Sequence, residues 1–152
     1  NSLFGQDYKI SVSTYLNTNK SELGIESQDY EDIVIDRHSY SKSMDVENVY
    51  AIQRHQGIEI FNSVSSFAIR NGQVLNAGFS FKKNISEKVN TTSPSISAAT
   101  AINKAAESLG LSTTSNIELI ETLSDNKFIF SDGGISLENI PVKLVFQTME
   151  DN

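Results

Sequence analysis

Apolar residues in the first part of the chain recur at helical spacing. Tyr8, Val12, Tyr15 and Leu16 stand three and four positions apart, which predicts a short helix over residues 7–16 with one apolar face. Its serine and β-branched content weakens it, and Gly24 is placed to stop it. A polar stretch follows. The triplet Ile33, Val34 and Ile35 then predicts a short strand ahead of a serine-rich loop at residues 39–43.

The strongest local pattern lies between residues 49 and 81. Residues 49–55 and 58–61 read as strands separated by Gln56 and Gly57. Further on, Asn71-Gly72 divides two apolar runs. Both positions of a type I′ turn need positive φ, which Asn and Gly tolerate best, so a hairpin is expected. A two-residue turn there pairs Ala68 with Leu75, Ser66 with Ala77 and Val64 with Phe79 on one face. Ile69, opposite Val74, and Phe67 take the other. Apolar residues on both faces predict a helical cover for each.

One such helix is well marked. Ser97 is a good N-cap, Ala98, Ala101, Ile102, Ala105 and Leu109 form a stripe, and Gly110 offers a left-handed stop. This helix is expected to pack on the sheet. Replacing Ala105 with a large charged residue is expected to be among the most damaging single changes. Residues 117–123, 127–130 and 142–146 read as further strands, linked by the turns 124–126 and 132–134. Pro141 is able to open a strand but not to sit centrally in one. Helix, strands, helix, strands is an α+β order with antiparallel sheets packed by helices. Its recurrence suggests two related lobes.

Composition narrows the function. The chain has 152 residues, 38% of them hydrophobic, with eight Phe and five Tyr, enough for a core without crosslinks. A net charge of −7 and the absence of any Lys/Arg run argue against nucleic acid as a partner. The longest acidic region, residues 22–36 with Glu26, Asp29, Glu31 and Asp32, reads as a solvated loop, or as a surface that meets a basic partner. No Cys is present, which removes disulfides and thiolate chemistry. No apolar run is long enough to span a membrane, so no membrane partner is expected. The chain opens on Asn1 rather than Met, which fits a secreted precursor trimmed of its signal.

Catalytic patterns are lacking. His38 and His55 belong to no His-Glu-x-x-His, and neither has a second His four residues away. There is no Gly-x-Ser-x-Gly elbow and no phosphate-binding glycine loop. Glu118 and Glu121 fall on opposite faces of a strand and are expected to be solvated. Residues 124–132 lack the acidic ladder of a calcium loop. Sequons at Asn19, Asn84 and Asn90 arise readily in an Asn- and Ser-rich chain.

Residues 48–62 resemble the core of the FTP domain, named for the fungalysin/thermolysin propeptide. That family shows a Val-Tyr pair, a Gln three residues after the Tyr, then a Gly and an apolar–x–apolar step. Here these are Val49, Tyr50, Gln53, Gly57, Ile58 and Ile60. A helix ending near Leu-Gly precedes the block in the family, and Leu23-Gly24 is similar. Residues 97–111 look like the Ala-rich helix that opens the PepSY-like second lobe of such propeptides, and residues 140–147 like its next strand. Asn48 departs from the family, which often has His there.

The resemblance implies two cystatin-like or PepSY-like lobes, an FTP-like one over residues 1–90 and a PepSY-like one over 91–152. The last strand of the second lobe and the linker to a protease would lie beyond residue 152. It implies a non-catalytic prosegment of a secreted zinc metalloendopeptidase, an autoinhibitor and folding chaperone whose partner is the catalytic domain of its own precursor. The motif residues would be architectural. Zinc would belong to that catalytic domain alone, with no catalytic, cofactor or metal residue in this chain. Secretion, or a periplasmic or cell-envelope location, is implied with it. The alternative is a stand-alone PepSY/FTP-type binding module of the cell envelope.

Overall fold

The computed structural model describes residues 3–149, in two units: residues up to Asn90 together with those from Val145, and residues Thr91–Leu144. The architecture is α+β, with two mostly antiparallel sheets.

In the first unit, helix α1 (Leu3–Leu23) is longer than the 7–16 pattern suggests. Its polar residues are absorbed locally: Ser11 Oγ, Thr18 Oγ1 and Asn19 Nδ2 each donate to the carbonyl four residues back. The amide of Ile25 closes the helix on the Lys20 carbonyl at 3.0 Å, after Gly24. Strands β1 (Val34–Ser41), β2 (Val46–His55), β3 (Ile58–Arg70) and β4 (Gln73–Gly78) follow as an antiparallel meander. The expected loop at 39–43 is mostly strand, because Ser39 and Tyr40 pair with Asn48 and Glu47. Val12 and Leu16 of α1 meet Val49, Ala51, Phe67 and Ile69 in the core. A short helix, α2 (Ile85–Lys88), follows the sheet.

Asn71 and Gly72 take φ of 50° and 76°, as a type I′ hairpin requires, but the expected register fails beyond Ile69. Ala68 pairs with Asn76 and Phe67 with Ala77, so Leu75 is an extra residue bulged out of β4 and exposed. A bulge switches which face the following side chains take. Here it lets Val74, Ala77 and Phe79 all pack against the core, although 74 and 77 differ in parity. The face opposite the core also departs from expectation, since Val64 is exposed rather than covered.

The second unit holds α3 (Ala98–Ser108) and the sheet β5 (Leu119–Ser124), β6 (Lys127–Phe130), β7 (Ile140–Lys143). The expected helical cover by α3 falls in this unit, whereas the first sheet is packed by α1. Ser97 Oγ accepts from the Thr100 amide at 3.1 Å. At the other end Leu111 N donates to Ala106 O and Gly110 N to Glu107 O, a Schellman pair made possible by Gly110 at φ 70°. Ile102 is buried as expected, but its buried companion is Ala106, and Ala105 and Leu109 are exposed, so the stripe departs from expectation by one position in the second half of the helix. Pro141 sits opposite Ile129 on the edge strand β7, where its missing donor costs no ladder bond.

The expected strand over 142–146 divides. Val142 and Lys143 stay in β7, and Val145–Phe146 form β8, which pairs in parallel with Glu59 and Ile60 of β3. The segment from Val145 therefore belongs with the first unit, not with the lobe expected over 91–152.

Candidate functional site

The six motif residues run from the middle of β2 through the following turn into the start of β3. Val49, Ile58 and Ile60 are buried apolar residues. Tyr50 lies on the opposite face from Val49, with the Arg37 guanidinium 4.3 Å from its ring centre. Gln56 and Gly57 make a tight turn with φ of 50° and 78°, and the Gly57 amide donates to Asp32 Oδ2 at 2.7 Å. Asp32 Oδ1 also accepts from Arg54 Nη2 at 2.7 Å. One carboxylate thus ties the β2–β3 turn to the segment before β1.

Gln53 is fully buried. It stands where the β2–β3 ladder breaks, because Ile52 pairs with Val64 while Arg54 pairs with Glu59. One residue on β2 therefore faces four on β3, and ladder bonds are lost. At this break the Gln53 side chain reaches out of the sheet to other segments. Its Nε2 donates to the carbonyls of Asp29 at 2.8 Å and Lys82 at 2.7 Å. Its Oε1 accepts from the Lys82 amide at 2.7 Å and from the Ser63 hydroxyl. Next to it, Ser65 Oγ accepts from the Ser80 amide at 2.8 Å, so the chain leaving β4 is held to β3 by side chains.

Asp29, also buried, completes this polar core. Its carboxylate accepts from three backbone amides, those of Glu26 at 3.0 Å, Asn84 at 3.1 Å and Ile85 at 2.9 Å. Reading residues 22–36 as a solvated loop is therefore wrong for Asp29, and Asp32 is taken up by Arg54 and Gly57. The burial is affordable because the amides supply the hydrogen bonds that water gave. Among the described residues no buried side-chain nitrogen or oxygen lacks a partner.

Among the described residues neither histidine joins a metal-binding group. His38 Nδ1 lies 3.3 Å from Glu47 Oε2, with the Tyr8 ring 4.9 Å away. Burial, then the Glu47 carboxylate, pushes the Tyr8 phenol above its usual range. His55 closes β2, its ring 6.1 Å from Phe146. His38 pairs with Val49, six positions before His55, which separates the two by roughly 20 Å of strand. Among the described residues no three His, Asp or Glu side chains cluster as metal ligands, and no helix is long and apolar enough to cross a membrane. Glu118 and Glu121 are exposed.

Sequence reasoning missed a groove of about 680 Å³ in the first unit. Ile60, Phe81, Ile85 and Phe146 give it an apolar floor, and Lys82, Lys83 and Lys88 stand around it. Its signal was present: Phe81, Ile85 and Val89 recur every four residues, interleaved with lysines. No family model, curated protein or solved structure matches the chain.

Proposed function

We propose that the chain is a non-catalytic prosegment of a secreted zinc metalloendopeptidase, an FTP-like lobe followed by a PepSY-like lobe of the cystatin-like type. It would inhibit the catalytic domain of its own precursor and assist that domain's folding. The observation that carries this reading is the position of Gln53. The polar residue of the motif is a buried cross-link between β2, the Asp29 turn and residue 82, which suits a motif kept for architecture. Val49, Ile58 and Ile60 serve the core and Gly57 the turn, while Tyr50 lies on the other face against Arg37. A tethered domain needs little intrinsic affinity, because linkage raises its effective concentration.

The test uses the chain extended to the processing site, added at micromolar concentration to the mature protease of the same precursor. Slower peptide hydrolysis or a higher refolding yield is expected. If the extended chain changes neither, the prosegment reading fails. A second reading, a cell-envelope binding module of PepSY/FTP type without a protease, draws on the lysine-rimmed groove, which offers a ligand site of its own.

A further inference from the structure

The groove in the first unit carries positive charge in a chain whose net charge is −7. Residues 81–90 hold Lys82, Lys83 and Lys88 against one acid, Glu87. The ion pairs of the described residues involve Arg37, His38, Arg54 and Arg70, and among those residues no carboxylate pairs with the three groove lysines. Lys83 Nζ lies 2.9 Å from where a Cβ on Gly24 would stand, beside the C-terminal end of α1 whose carbonyls favour a cation. Like charges gathered around an apolar floor cost free energy unless an anion shares the site.

The apolar part is equally specific. Ile60, Phe81 and Ile85 are buried and form the base, while Phe146 and Val89 are half-buried and Met149 is 92% exposed. The groove is therefore able to cover apolar side chains and to meet carboxylates at its rim. We propose that it is a docking site for an acidic peptide, an extended segment in which apolar side chains alternate with carboxylates. A ligand with several carboxylates is favoured over a single-headed anion because the lysines sit on two elements. Lys82 and Lys83 precede α2, and Lys88 is in its last turn. The anionic remainder of the surface repels such a peptide elsewhere, which confines it to this face.

The proposal holds whether the chain is a prosegment or an envelope module, and its failure would leave the inhibition assay unaffected. The probe is a fluorescein-labelled hexapeptide of alternating leucine and glutamate, titrated with the full chain and followed by anisotropy. The glutamate peptide is expected to bind about tenfold more tightly than its glutamine counterpart at low salt, several exposed charge pairs acting together. That preference should shrink as salt rises. Lys82→Glu with Lys88→Glu should abolish it, and Lys82→Gln with Lys88→Gln should weaken it if the charge reversal disturbs folding by circular dichroism. Met149→Ser should weaken both peptides and leave the glutamate preference in place. Equal binding of the two peptides, or unchanged binding by the glutamine double variant, overturns the proposal. So does saturation by decanoate with no binding of either peptide, which would assign the groove to a fatty anion.

Discussion

Gln53 Nε2 donates to the main-chain carbonyl of Asp29 at 2.8 Å, joining the middle of the first sheet to a turn 24 residues earlier. Both residues are buried, and each satisfies several backbone groups of residues 80–85 or of the turn itself. The first unit is therefore closed at this end by polar bonds beside the apolar packing of Tyr30, Ile33, Phe81 and Ile85. Such a network is all-or-none in effect, since removing one member strands the others.

Gln53→Leu tests this directly. The substitution keeps the volume but leaves the Asp29 and Lys82 carbonyls and the Lys82 amide without their partner. Each buried orphan costs about 1–3 kcal/mol, so a loss of about 3 kcal/mol or more is expected. Urea denaturation of the full chain, followed by far-ultraviolet circular dichroism, measures it. Asp29→Ala should destabilise the same unit, because three amides lose their acceptor. The double variant should cost less than the sum of the two singles. Strict additivity would show that the two residues do not share one network.

The tyrosines offer a second check. Tyr8 is raised by burial and then by Glu47, and Tyr40 by its hydrogen bond to Asp45, a 2.8 Å contact. A raised folded pKa means that the folded chain holds the proton more tightly than the unfolded chain. The resulting stability is present below the ordinary phenol value of 10.0 and is lost as pH rises through the folded value. An absorbance titration should show late-ionising phenol, and Tyr8→Phe and Tyr40→Phe should each remove part of it. If both variants titrate like the parent above pH 10, the contacts with Glu47 and Asp45 are wrong.

What was legible in the sequence was what is decided within a few residues. Asn71-Gly72, the Ser97 cap and the Gly110 stop each follow from local backbone needs, and each stands where the pattern put it. The Leu75 bulge was not legible, because an alternating pattern assumes unbroken pairing and only the core decides where parity must switch. Gln53 stood out through the family resemblance, but its partners did not. Asp29 lies in an acidic stretch whose composition says solvent, and only the fold brings the amides of Asn84 and Ile85 to it. The groove lysines were hidden for a related reason. They are scattered among neutral residues in an acidic chain, and their convergence on Phe146 requires the return of β8 to β3.

The phase of α3 gives the sharpest comparison, because two adjacent alanines exchange roles. The expected stripe through Ala98, Ala101, Ile102, Ala105 and Leu109 and a stripe through Ala98, Ile102 and Ala106 share Ile102, and composition does not choose between Ala105 and Ala106. In the structure Ala106 is 4% exposed and Ala105 faces solvent. Ala106 also gives its carbonyl to the Leu111 amide in the closing turn, so backbone shifts there would open the cap as well. Ala106→Lys forces a long cation into a filled position and is expected to cost about 3 kcal/mol. Ala105→Lys should change stability by no more than about 0.5 kcal/mol, as an exposed substitution to a good helix former. Hydrogen exchange of the α3 amides in the full chain reads the difference: faster exchange is expected for Ala106→Lys alone. Equal protection in the two variants, or faster exchange only in Ala105→Lys, would return the helix to the phase that its sequence first suggests.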